Sequence, residues 1–326
     1  MNFLPRFRNC AVTIFFFGIL SIIHSSCRKE AATFIFTELH SGISKDLRDI
    51  YFVNDSTGYA CGGERYVEGN ILKTTDRGNT WFSQGEHLGK ALYKQDFYAA
   101  DTGFTVGVDG KIYKTTNAGE YWSLYQSPRY QPLHDVLILT PQKAFCCGGD
   151  GYKTGYIYST SDGGNHWQID TFPQEFRSLF FTDELTGFVA GYGAIFKTTD
   201  GGAVWQLTTA KGDFFQSVVF TDPMTGYSAG YEGTIIKTED GGNTWEMLRN
   251  GNNLLQDTWH LEQIVFRNAT TGYVIGEKGC FLKTTDAGAN WEHVANAPAI
   301  DLHGIFLTKD GGYLCGEGGS IYRFLE

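Results

Sequence analysis

The sequence contains no CxxC pair and no Cys/His spacing suited to a metal ion, so no metal centre is expected. It contains no basic run longer than Arg28-Lys29, and its net charge is −10. Nucleic-acid binding needs clustered Lys and Arg, so that balance argues against a nucleic-acid partner. No stretch of useful length repeats apolar residues at helical spacing, which argues against a helical domain. Charged residues are only 19% of the chain. The longest apolar run, Ala11 to Ile23, is thirteen residues and too short to cross a bilayer as a helix. In their place are 41 glycines and 15% aromatics, a composition that suits many short strands joined by tight turns.

Six of the seven tryptophans end the same nine-residue phrase. It reads KTTDRGNTW at Lys73–Trp81, KTTNAGEYW at Lys114–Trp122 and STSDGGNHW at Ser159–Trp167. It continues as KTTDGGAVW at Lys197–Trp205, KTEDGGNTW at Lys237–Trp245 and KTTDAGANW at Lys283–Trp291. Successive tryptophans are 41, 45, 38, 40 and 46 residues apart. A period near 40 with strand-like text between turns predicts a propeller with one four-stranded blade per repeat. The phrase is the Asp-box. Asp76, Asp162, Asp200, Asp240 and Asp286 are read as turn residues that accept backbone N–H groups one or two residues on. Asn117 replaces Asp in the second copy, which a turn tolerates and a catalytic carboxylate does not. The glycine that follows takes positive φ. Trp81, Trp122, Trp167, Trp205, Trp245 and Trp291 are expected to pack between blades.

A Gly-aromatic strand start precedes each box: Gly58-Tyr59, Gly103-Phe104, Gly187-Phe188, Gly226-Tyr227 and Gly272-Tyr273, with Ala144-Phe145 as a degenerate copy. Gly312-Tyr313 is a seventh, and no box follows it. The last blade therefore lacks an outer strand, and Thr33–Leu39, alternating with period two, supplies one. The fold class is all-β: a seven-bladed propeller of four-stranded antiparallel blades, residues 33–326, closed by its N-terminal strand. Closure removes the exposed sheet edges.

Residues 1–26 read as a signal peptide, with Arg6 and Arg8 ahead of the apolar run. Ser25-Ser26-Cys27 resembles a bacterial lipoprotein signal, with Cys27 as the lipidated N-terminus and residues 27–32 as a short tether. The protein is expected to be exported, lipid-anchored at a bacterial membrane on its periplasmic or outer-membrane face, and monomeric; cleaved secretion is the alternative. Cys61, Cys147 and Cys315 share a repeat position with Val106, Ala190, Ala229 and Ile275, which marks a buried packing position. With Cys146 and Cys280 they are read as buried thiols, their redox state left open.

The boxes occupy one face of the disc, so a binding site is expected on the other face and at the channel mouth. There the innermost strands place a polar column: Arg48, Lys94, His134, Arg177, Gln216, Glu262 and His303. It leans cationic and favours an anionic partner. Asp49 and Asp135 are expected to alternate onto the other side of their strands. Three segments break the repeat on that face: Gly62–Asn70, Gly148–Tyr156 and Asn250–His260. They make Tyr66, Tyr152 and Trp259 contact candidates.

The Gly-aromatic strand in seven copies and the Lys-Thr-Thr-Asp-x-Gly-x-x-Trp box in six, behind an export signal, resemble the photosystem II stability/assembly factor family of propellers, also described by the BNR repeat. The resemblance covers residues 33–326. It implies an assembly chaperone that binds an apoprotein segment through a patch of arginines, onto which Arg48 and Arg177 map, with Lys94. It implies no cofactor and no catalytic residue. The expected role is a non-catalytic protein-binding scaffold at a membrane surface, its partner including a membrane-protein segment. A glycan-binding module using Trp259, Tyr66 and Tyr152 is the alternative. An Asp-box glycoside hydrolase is a further one, with Glu262 as the lone carboxylate of the column where two are needed.

Overall fold

The computed structural model describes residues 34–85, 88–253 and 258–326. The leader, Thr33 and Cys27 lie outside the described residues. The described chain forms seven antiparallel sheets of four strands. Their first strands are Leu47–Phe52, Leu92–Phe97, Leu133–Ile138, Phe176–Phe181, Phe215–Phe220, Leu261–Phe266 and Leu302–Thr308. Each first strand touches those of the blades on either side, and the seventh touches the first, so the ring is closed. In blade seven the order is Ile35–Leu39 beside Ile321–Leu325, then Gly311–Gly316 and Leu302–Thr308. Ile35 pairs with Leu325 and Leu39 with Ile321, as the incomplete last repeat requires.

Layers of aromatics hold the blades together. The aromatic that opens the second strand of one blade stacks on the phenylalanine that ends the first strand of the next. Tyr59–Phe97, Phe145–Phe181, Phe188–Phe220, Tyr227–Phe266 and Tyr313–Phe52 have ring centroids 4.1–4.8 Å apart. The box tryptophan then meets that phenylalanine edge-on, as in Phe97–Trp122 at 6.2 Å and Phe220–Trp245 at 6.0 Å. Such pairs contribute about 0.5–1.5 kcal/mol each beyond the area they bury. The glycine before each second-strand aromatic makes the room. A Cβ on Gly58 would lie 2.7 Å from the Phe52 ring, and one on Gly226 2.6 Å from Phe220. Blade three has Ile138 in place of phenylalanine, and there the degenerate Ala144 fits.

The box turns differ from the expected geometry in one respect. The amide that Asp76 Oδ1 accepts belongs to Thr80, four residues on (2.9 Å), and not to the first or second residue after it. Thr74 Oγ1 donates to Asp76 Oδ1 (2.8 Å) and accepts from Gly78 N (2.9 Å). Arg77 and Gly78 are both left-handed (φ 63 and 80), and two such residues in succession curl the chain far enough to bring Thr80 back. Asn117 Oδ1 makes the same bond to Tyr121 N at 3.0 Å. The Thr244 hydroxyl and amide hold the Asp240 carboxyl down at about 2.

Cys61, Cys146, Cys147, Cys280 and Cys315 are free and buried. Cys61 and Cys147 sit across the ladder from Asp49 and Asp135, in the shared repeat position.

Candidate functional site

Every first strand carries a bulge at the same place. Leu47 pairs with Gly62 and Asp49 with Cys61, so Arg48 is an extra residue between two ladder pairs. The same skip occurs at Tyr93, His134, Arg177, Gln216, Glu262 and His303. A bulge interrupts strand alternation and re-aims the side chains around it. All seven bulged residues line one channel cavity of about 940 Å³.

Two expectations are corrected here. The column member in blade two is Tyr93, not Lys94, because Leu92 pairs with Gly107 as Leu47 pairs with Gly62. Leu92 is the same residue type that opens most other copies, and aligning on it would have found Tyr93. Second, Asp49 and Asp135 do not turn away from the channel. The bulge lets them line the same cavity as Arg48 and His134.

In blades one, three, four and six the residue after the bulge staples its blade to the next. Asp49 Oδ2 accepts from Gln95 N (3.1 Å), Asp135 Oδ2 from Leu179 N (2.7 Å) and Ser178 Oγ from Val218 N (3.2 Å). Gln263 Oε1 accepts from Ile305 N (3.0 Å). In blade two Asp96 does this, accepting from Ile138 N (2.7 Å), and Lys94 instead donates back to Asp49 Oδ1 (2.7 Å). Burial would lower the Lys94 ammonium, but Asp49 and Asp135 outweigh it and hold it above its ordinary value. Burial lifts the Asp135 carboxyl to about 7 and that of Asp96 to about 6. These carboxylates are committed to backbone amides and carry scaffold, which leaves them poorly suited to acid–base chemistry.

The ring arginines are neutralised locally. Arg48 Nη2 donates to Asp46 Oδ2 (2.9 Å), and its Nη1 lies 3.5 Å from His303 Nδ1. Arg177 Nη2 meets Glu175 Oε1 (2.8 Å), and its Nη1 lies 3.4 Å from His134 Nδ1. The acids arrive because the chain entering each first strand presses on the glycine ending the second. A Cβ on Gly62 would lie 2.0 Å from Asp46 O, and one on Gly191 1.9 Å from Glu175 O. Burial and the adjacent arginine depress both histidines to about 4, so each is neutral and accepts from its arginine. Burial would raise Glu175, but His134 and Arg177 outweigh it and hold the carboxyl at about 2.

Glu175 also shapes the mouth. Its Oε2 accepts from Tyr152 N (2.9 Å) and fixes that residue in the left-handed region (φ 66). A non-glycine residue there costs about 1–3 kcal/mol and persists only where its surroundings hold it. Tyr152 packs with Tyr192 (5.0 Å) and Phe214 (5.6 Å), and the Arg177 guanidinium lies 4.7 Å above the Phe214 ring. Tyr152, Phe214 and Tyr231 line the cavity. The other two loop candidates do not join them. Trp259 is half-buried and stacked on His293 at 4.9 Å. Tyr66 is exposed beside Arg65 and Lys90, and neither it nor Trp259 lines the cavity. Asp46 and Glu175 stand two residues before the arginines they pair, a spacing the sequence shows, whereas Phe214 and Tyr231 were not legible, since a contact between separate blades leaves no local pattern.

Residues 206–324 match the sequence profile described as "Photosynthesis system II assembly factor YCF48". Among solved structures, "YCF48 bound to D1 peptide" is similar with TM-score 0.72 at 19% identity, covering 91% of this chain and 98% of that one. YCF48 from Cyanidioschyzon merolae is similar with TM-score 0.71 at 17% identity, covering 89% of this chain and 98% of that one. An ancestral GH74 enzyme is similar with TM-score 0.69 at 14% identity; the match covers 90% of this chain and 46% of that enzyme. At these identities the structural likeness carries the fold alone. No curated protein matches the chain. The chain is thus a seven-bladed Asp-box propeller, and its residues 206–324 are similar to the photosystem II assembly factor profile.

Proposed function

We propose that this propeller is a non-catalytic scaffold that holds an extended segment of a partner protein at the channel mouth opposite the Asp-boxes. One observation carries the reading. Seven bulges turn seven side chains into one cavity of about 940 Å³, beside an aromatic ledge of Tyr152 and Phe214. A regular barrel of strands needs no such device, and bulges accumulate where a side chain must be re-aimed. A structurally similar propeller is named as bound to a D1 peptide, which supports a membrane-protein segment as the class of partner.

A photo-crosslinking side chain placed at Tyr152, with a control at Phe82 on the exposed outer rim, tests it. A discrete adduct from position 152, absent from position 82, is the expected result. Equal labelling from both positions would defeat the reading. The exposed pair Tyr152 and Tyr192, 5.0 Å apart, supports a glycan-stacking surface as the second reading. A glycan array with wild type and Tyr192→Ala separates the two.

The leader supports an exported, lipid-anchored protein that works at a membrane surface, with Cys27 as the anchor. Cys27→Ser is expected to move the protein from the membrane fraction to the soluble fraction. Retention on the membrane would show that the anchor lies elsewhere.

A further inference from the structure

The charges of the ring divide unevenly once their partners are counted. Arg48 is paired with Asp46 and Arg177 with Glu175. Glu262, the remaining charged member, makes no hydrogen bond or ion pair among the described residues, and neither does its neighbour Gln216. Both line the cavity and both sit at bulges. Glu262 is half-buried, and a carboxylate partly withdrawn from water without a partner is disfavoured where an apolar side chain would not be. Arg48 and Arg177 are the larger charged influences on Glu262 and favour its ionised form, while Glu277 and Asp301 oppose it, and none of the four is its hydrogen-bond partner. The mouth therefore does not present the cationic surface that the residue types alone suggest. In this sector it presents an acid awaiting a cation.

We propose that the channel mouth takes a lysine or arginine side chain of the partner segment, its charged head against Glu262 and Gln216 and its methylenes along Tyr231. This rests on the scaffold reading above and specifies what that scaffold selects. Gln216 Oε1 supplies a second acceptor for an ammonium or guanidinium, and a charge-assisted bond to the carboxylate supplies most of the attraction. The aromatic wall suits a cation with an alkyl stem. Tyr231 is already oriented, its hydroxyl donating to Glu277 Oε1 at 3.2 Å, and its ring is stacked on His260 at 4.2 Å.

Protonation opposes this binding. Burial pushes the Glu262 carboxyl up to about 7, and Glu277 and Asp301 add to the shift against Arg48 and Arg177. A cation requires the ionised form, so affinity is greatest above that value and falls as pH drops through it. His303, held at about 4, stays neutral across that range and adds no step of its own.

The test uses the full-length protein and an array of decapeptides of varied sequence. Each is made with Lys, N-acetyl-Lys or Glu at one position. Bound peptides are expected to carry Lys or Arg there, and acetylation is expected to weaken them by at least about tenfold at pH 8. Glu262→Gln should erase that discrimination and remove its step from the pH profile, leaving only those of Asp135 and Asp96 near 7 and 6, while Gln216→Glu should increase the preference for Lys (~ several-fold). Circular dichroism melts of both variants confirm that the ring is intact. If peptides bind but acetylation or Glu262→Gln changes nothing, the cation inference fails and the scaffold stands. If no peptide of any charge binds, both fall.

Discussion

Phe34→Ala is expected to destabilise the protein by about 3–5 kcal/mol, the range for removing a buried aromatic ring. Phe34 is 4% exposed, although it directly precedes the outermost strand of its blade, Ile35–Leu39. Its ring packs on Phe36, Tyr273, Phe281 and Phe324, at centroid distances from 5.5 to 6.4 Å. The cluster holds the first strand of the chain to the last and also fills the gap toward blade six. Asn296 Nδ2 donates to Phe34 O at 2.8 Å and adds a second tie. Loss of this strand exposes the unpaired edge of Ile321–Leu325, a template for association between chains. The variant should therefore melt earlier and aggregate on melting. A urea titration checks the size of the effect, and light scattering checks the aggregation. A midpoint equal to that of wild type would show that closure does not rest on this strand.

Asp49→Ala is expected to cost about 3–5 kcal/mol, because it strands a half-buried cation and a buried backbone amide. Asp49 is 2% exposed and serves two partners, the Lys94 ammonium at 2.7 Å and the Gln95 amide at 3.1 Å. Its removal leaves both without their acceptor between blades one and two. Replacing the pair together, Asp49→Leu with Lys94→Met, should recover much of the loss, since an apolar pair of similar size carries no unpaired charge. The discriminating quantity is the coupling energy of the double-mutant cycle, measured by urea unfolding. A cycle that closes at zero would mean that the two side chains act independently and that the amide bond alone explains the cost.

The two predictions concern opposite edges of what could be read from residues in a row. The box phrase repeats because each copy solves the same local problem. Its threonine, aspartate and left-handed glycine close a turn within a few residues, so the turn, the blade count and the N-terminal closing strand were all legible. The shared position of Cys61, Cys147 and Cys315 was legible for the same reason. The polar column was nearly so: six of its seven members lie where the aligned strand starts place them. Lys94 was misplaced although Leu92 stands as far before Gly103 as Leu47 stands before Gly58, and the ladder, with Leu92 on Gly107, sets the register at Tyr93.

The sequence by itself determined the wheel: a short-range code of glycine, aromatic and Asp-box, repeated until the ring closes. Only the tertiary structure decided the chemistry of the mouth. A bulge is invisible in residue types, since it depends on which residue of the neighbouring strand each one meets. Pairing is hard to read too, because Glu175 reaches His134 across a blade boundary as well as Arg177 beside it, and Asp46 turns back on Arg48. Charge counted along the chain made the mouth look cationic. Charge counted in space leaves the arginines satisfied and Glu262 unpaired, because Coulomb energy depends on distance and burial and not on order in the chain.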